Sequence, residues 1–584
     1  MRRLFAICVF MFAPGAAFAA DTADQQARAL FAADWQWRLQ NQPEFATAVG
    51  DARYNGALSD TSLAASRSAT AHERKVLDQA RLIERDRLTG QNQLSYDLFV
   101  DQKERRLKAA SFYPYNAQPL TAQDGIHISF ARLVAQMPFA TEADYRNYLS
   151  RIDALPAHVD GIIEQMREAM RSGWTSPKPI MLALPAMLRQ LRETMPNGAL
   201  GLPFREIPAT IPKEVRDELA SAGPAALRTK AAPALQKLEE FVRNEYLPAA
   251  RDTIAASSLP GGADWYQFLL ADSTDLAPAA VHALGLKEVA RIRAEMRGAI
   301  ARTGFRGTVT EFFAFANSDP RLFYASGDKL LNRYRRLVAR ATDGLPRLFS
   351  SVPAEPLAVR QVQGENQGAA YYEAAANGRP AALVVNTSLL ATRALWETET
   401  LALHEGVPGH HLQVARAHEL ADLPDFRRFG WNRAFGEGWA LYAESLGPEL
   451  GFFADSFSAF GRLNSELLRA ARMVADTGIH AMGWSRQQAL DYLAANTANA
   501  ASDNEVEVDR YIAQPGQAPA YKIGQLRIKA LRERSQAALG ERFDIRRFHG
   551  AVLDNGPMPL AMLEQQVERW IKAAAPAPRP APPG

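Results

Sequence analysis

Four of the ten histidines in this chain fall between His404 and His418. The dense part reads His404-Glu405-Gly406-Val407-Pro408-Gly409-His410-His411. Imidazoles are zinc ligands, and a carboxylate beside one is placed to act as a general base. The usual zinc-peptidase helix carries two histidines four residues apart, a rotation of roughly 40° that puts both on one face. This stretch departs from that spacing. His404 and His410 are six residues apart, which leaves them about 120° apart around an ideal helix. His404 and His411 are nearly in phase but ~10 Å apart along the axis. Neither pair can share a zinc ion at ~2.0–2.1 Å per nitrogen on an undistorted helix. Pro408 and Gly409 offer the remedy, since proline removes a helix hydrogen bond and glycine admits unusual backbone angles. A two-residue bulge there is expected to return His410 to the face that carries His404. His411 is the alternate ligand, and otherwise lies beside the ligands or faces substrate.

Cys8 is the only cysteine, so a third ligand must be a carboxylate. Glu437 follows His410 by 27 residues, in Phe435-Gly436-Glu437-Gly438-Trp439-Ala440. Its flanking glycines permit close approach of another helix. Two histidines and one glutamate would hold a single zinc ion and leave a fourth position open for water, the arrangement of catalytic sites. Glu405 would reach that water rather than the metal and take its proton. Glu444 is expected on a solvated helix face, with orientation of a zinc ligand as the alternative. Arg472, Asp476 and His480, spaced by four, share one helix face. They read either as an exposed ion-pair ladder or, given the glycine and apolar neighbours of His480, as a pocket wall. Arg510 and Tyr511 are candidates for holding a substrate carboxylate, against the alternative of ordinary surface residues.

Helices must position these groups. Apolar residues recur at three- and four-residue spacing over 144–171, 231–255 and 279–301, with Pro156 expected to break or kink the first. A β-branched run at 381–386 predicts a strand, with 357–362 as its companion. That strand could pair with an extended peptide. The fold class expected is mainly α, a large helical body with a small β-sheet next to the histidine-bearing helix. Residues 1–19 read as a signal peptide: Arg2 and Arg3, the apolar run Leu4–Phe12, then Ala17-Phe18-Ala19. Residues 20–572 form the body, either one domain or two lobes at 20–255 and 256–572. The Ala/Pro-rich stretch 573–584 reads as a disordered tail. Export to the periplasm or beyond, with no stable membrane anchor, follows from a run too short to span a bilayer. The net charge of +3 falls to about +1 without Arg2 and Arg3, which gives no reason to expect nucleic acid as a partner.

The segment His404-Glu405-x-x-Pro408-Gly409-His410-His411-Leu412-Gln413, with Glu437-Gly438-Trp439-Ala440, resembles the bacterial family labelled domain of unknown function 885. That family is similar to the gluzincin metallopeptidases, alongside angiotensin-converting enzyme, the thimet-type oligopeptidases and Taq-type carboxypeptidases. The resemblance covers nearly all of the mature chain, including 261–286 and 514–526. It implies a helical body with a deep central channel, one bound zinc and a peptide substrate. It favours His410 over His411 as ligand, and it implies that His480 and Tyr521 donate hydrogen bonds to a developing oxyanion. The function expected is that of an exported zinc peptidase acting on short peptides. A zinc hydrolase of another amide or ester, and a non-catalytic periplasmic binding protein that kept the fold, are the alternatives.

Overall fold

The computed structural model describes residues 22–362 and 368–574, and helices dominate them. The signal-peptide expectation lies outside the described residues, as does the tail beyond position 574. Residues 573 and 574 belong to a final helix, Leu560–Ala574, rather than to the tail. Helix α1 (Glu142–Ser172) starts at a capping box in which Thr141 and Asp144 satisfy each other's backbone N–H groups. Pro156 lies inside it without ending it. Burial of Ile152, Leu155 and Val159 around the proline outweighs the lost hydrogen bond. The helix expected over 231–255 is shorter. Its last helical piece is Leu247–Ala249, and Ala250 is already extended. Helix α2 (Pro278–Arg302) matches its expected span to within one residue at each end.

Three strands form one sheet: β1 (Leu357–Val362), β2 (Ala370–Glu373) and β3 (Ala381–Asn386), in the order β1-β3-β2. β1 runs parallel to β3, and β2 runs antiparallel to it, with Val359 and Tyr372 both opposite Leu383. All six residues of β3 are buried, as a continuous apolar run requires of a central strand. This corrects the expectation that 381–386 would pair with a peptide, because both of its edges are already taken. β2 was not foreseen in the sequence. At four residues it is too short to show an alternating pattern.

Six further helices surround the histidines: α3 (Thr398–Glu405), α4 (His410–Glu419), α5 (Arg433–Glu444), α6 (Ser456–Met482), α7 (Ala501–Ala513) and α8 (Ala520–Leu539). The long α6 packs along α2 and backs the site. Two large apolar clusters hold the body together, and each draws residues from both sides of position 255. A close crossing joins α5 and α8. A Cβ on Gly438 would lie 2.4 Å from the Gly524 Cα, and one on Gly524 would lie 2.0 Å from the Ala434 carbonyl oxygen. The two backbones touch there, which fixes Glu437 on α5 relative to Tyr521 on α8. Gly524→Ala should therefore push the helices apart and cost about 2–3 kcal/mol in denaturant unfolding. A loss below about 0.5 kcal/mol, the range of an ordinary surface change, would contradict so close a crossing.

Candidate metal centre

The two histidines converge because the helix breaks between them. α3 ends at Glu405, four residues form a turn, and α4 starts at His410. The expected bulge in a continuous helix is thus a break between two helices. Gly409 makes the break possible: a Cβ there would lie 1.9 Å from the His404 carbonyl oxygen and 2.3 Å from that of Leu403. The His411 N–H closes the turn onto the Gly406 carbonyl at 3.1 Å. Trp439 Nε1, from α5, donates to the Pro408 carbonyl at 2.8 Å and ties the turn to the helix that carries Glu437. α5 itself begins where the Asn432 side chain caps the Phe435 N–H.

His404, His410 and Glu437 each place one potential ligand atom within 4.8 Å of the others. Glu437 Oε2 lies 3.7 Å from His404 Nε2 and 3.4 Å from His410 Nε2. Ligand atoms on a tetrahedral zinc are about 3.4 Å apart. The donor set and its spacing therefore fit one such ion. Glu444 supports the arrangement. His404 Nδ1 donates to its Oε1 at 2.8 Å, which leaves Nε2 as the nitrogen that faces Glu437. Glu444 is buried and lies 3.8 Å from Arg469, so the expectation of a solvated helix face was wrong. Burial alone would push the His404 imidazole down, but Glu437 and Glu444 outweigh it and hold it up to about 9. Burial likewise opposes ionisation of Glu437, yet the two imidazoles hold its carboxyl well below the usual range. The His410 and Glu437 side chains keep a little exposure beside the half-exposed Trp431, whose ring is 5.7 Å from that of His410. The cluster can be reached from solvent.

Glu405 is held by the strand that the sequence concealed. Its Oε2 accepts from the Tyr372 N–H of β2 at 3.1 Å. His411 points to the sheet rather than to the cluster. Its Nε2 donates to the Glu355 carbonyl at 3.0 Å, and its Nδ1 faces the Tyr372 hydroxyl at 3.4 Å. With both nitrogens engaged, and its imidazole pushed down by burial, His411 is a brace for β2.

On the other side, Tyr521 begins α8 within the field of Glu437. Burial and the Glu437 charge raise its phenol, and Arg510 and Arg472 pull the other way. Its hydroxyl accepts from Gln517 Nε2 at 3.3 Å, and its own proton has no acceptor among the described residues. The Arg472 guanidinium lies over its ring, 4.6 Å from the centroid. Glu507, on α7, joins this group. It takes a two-pronged bond from Arg472 at 2.8 and 3.0 Å, one from Arg510 at 2.8 Å and one from the Tyr511 hydroxyl at 2.6 Å. Nothing in the acidic run around Glu507 marks it as the buried partner. Tyr511 is a fully buried strut and offers nothing to a substrate.

His480 does not join the site. Its Nδ1 accepts from the Ala256 N–H at 3.0 Å, and its Nε2 donates to the Tyr511 carbonyl at 2.9 Å. Burial drives the imidazole down to about 3, so it is a neutral core residue with no free proton. The four-residue spacing was right, but it carries the face two turns past Arg472. There Asp476 is taken by the Tyr266 hydroxyl at 2.5 Å and the Gly516 N–H at 3.1 Å. The Arg472–Asp476–His480 face is a buried wall, not an exposed ladder. A cavity of about 670 Å³, lined by Tyr324, Arg333 and Phe457 among others, includes none of the cluster residues.

The chain belongs to the bacterial family of unknown function DUF885, whose pattern matches residues 43–567. It shares its fold with a solved protein of Colwellia psychrerythraea, described as a "putative lipoprotein", at 27% identity and a TM-score of 0.91. That alignment covers 94% of this chain and 100% of the other. A protein of Shewanella oneidensis, described as a "putative lipoprotein of unknown function", aligns at 16% identity and a TM-score of 0.65 over 94% of this chain and 99% of its own, a likeness of fold alone. No curated protein matches the chain.

The position of Glu444 behind His404 carries a prediction. Glu444→Gln should weaken zinc binding about 10–100-fold in a chelator competition while leaving the fold intact. An unchanged affinity would show that the carboxylate does not orient the ligand.

Proposed function

We propose that this chain is an exported zinc-dependent peptidase, a gluzincin-like hydrolase that acts on short peptides. The observation that carries the reading is the convergence of His404, His410 and Glu437 with Glu405 one residue from a ligand. A bound zinc would polarise the scissile carbonyl and make an attacking water more acidic. Glu405 accepts the proton of that water and passes it to the departing amine nitrogen as the C–N bond breaks. Tyr521 donates its free hydroxyl proton in a hydrogen bond to the oxygen on which charge develops. The Tyr372 N–H holds Glu405 in place.

Export rests on the positive start, short apolar run and Ala17-Phe18-Ala19 of the first nineteen residues. Among the described residues no helix is long and apolar enough to cross a membrane. The solved Colwellia protein is described as a "putative lipoprotein", which suits an extracytoplasmic site of action. The expected deep channel is part of this reading, and the half-exposed Trp431 beside His410 would lie at its mouth.

Purified protein should carry about one zinc per chain by elemental analysis. Glu405→Gln should keep that metal and lose about 10²–10⁴-fold of peptide hydrolysis. Full activity in Glu405→Gln on a responsive peptide would sink the mechanism. His410→Ala should lose zinc and His411→Ala should retain it; the reverse outcome would move the ligand by one residue. Tyr521→Phe should lower kcat about 10²-fold at unchanged metal content, and an unchanged kcat would remove Tyr521 from the reaction.

A further inference from the structure

Arg472 and Arg510 share a single carboxylate, that of Glu507. Two guanidinium charges against one carboxylate leave the group one positive charge in excess. Asp476, nearby, offsets this only in part: burial pushes its carboxyl up to about 7, and the Tyr266 hydroxyl and Gly516 N–H already occupy it. Arg472 Nη1 is buried and has no hydrogen-bond partner among the described residues. An unmet donor on a buried guanidinium is costly, so an acceptor that reaches it is favoured. Arg510 and Glu507 keep side-chain exposures of 20% and 17%, so the outer face of the group can be reached. The group packs on Tyr521, the residue that also lies in the field of Glu437.

We infer that Arg472 and Arg510 form a carboxylate-binding subsite beside Tyr521. It takes a carboxylate of the peptide substrate, at the chain's C-terminus or on an acidic side chain. The inference rests on the peptidase reading for its substrate class. Arg510 Nη1 donates to Gln517 Oε1 at 2.6 Å and its Nη2 to Glu507, so an arriving carboxylate meets the second N–H of these nitrogens together with the unmet Arg472 Nη1. Arg510 is the outer cation that meets the ligand, and Arg472 supplies the inner donor and charge. Glu507 holds both in place. Tyr511, whose hydroxyl is already given to Glu507, positions that carboxylate.

The test uses the zinc-loaded full chain and three N-acetylated tetrapeptides. The first ends in leucine as a free acid, the second is its C-terminal amide, and the third is that amide with glutamate in place of leucine. Wild type should prefer one carboxylate-bearing peptide over the plain amide by about 10–100-fold in kcat/KM, carried by KM. Preference for the free acid identifies the C-terminus, and preference for the glutamyl amide identifies a side chain. In Arg510→Met the ratio should fall to near one. Arg472→Met should do the same and leaves Arg510 and Glu507 as a neutral pair; Arg472→Gln serves if the methionine variant does not fold. A merely structural role would slow all three peptides together and preserve the ratio. Equal cleavage of the three by wild type, or a ratio that survives both variants, overturns the subsite. If wild type cleaves none of them, the peptidase reading fails, and the same peptides are titrated by calorimetry onto zinc-loaded Glu405→Gln. Unequal binding that is lost in Glu405→Gln/Arg510→Met then upholds the subsite by itself, and equal binding overturns it.

Discussion

The site depends on one turn of backbone, the break between Glu405 and His410. A continuous helix would point the two imidazoles about 120° apart. The break swings α4 so that both face one carboxylate oxygen of Glu437. It needs glycine at 409, where two carbonyl oxygens approach too closely for any side chain. It also needs an anchor, which the Trp439 indole provides from the helix that bears Glu437. The same turn that bends the chain is therefore tied to the helix that bears Glu437.

Around that turn the structure is layered by charge. Two imidazoles meet Glu437 and Glu444, and their mutual attraction repays the burial of all four groups in part. Glu444 restrains His404 from behind, and the Tyr372 N–H restrains Glu405 from the sheet. On the far flank, Glu507 gathers Arg472, Arg510 and Tyr511 next to Tyr521. His404, Glu405 and Tyr521 are thus each steered by a neighbour from a different element.

Much of this was legible in the sequence, because chemistry-bearing residue types and helical periodicity are local signals. The histidine cluster, the approach of Glu437 to it and the two longer strands lie where their residues suggested, whereas the bulge expected at Pro408-Gly409 is a break. What stayed hidden was set by tertiary packing. The spacing of His480 puts it on the right face of α6, but no local pattern says that Ala256 and Tyr511 will consume both its nitrogens. Glu444 reads as a solvated helix residue, since burial of a glutamate is decided by partners distant in the chain. β3 reads as a strand, but whether it is an edge or a centre depends on β2, a segment of four residues with no pattern of its own.

The central claim is that one zinc ion is held by His404, His410 and Glu437. Anomalous diffraction at the zinc edge from crystals of the metal-loaded chain tests it most directly. A single strong peak about 2.0–2.2 Å from His404 Nε2, a His410 nitrogen and a Glu437 oxygen is the predicted result. A peak on His411, or zinc bound only at surface carboxylates with the two imidazoles left free, would contradict it.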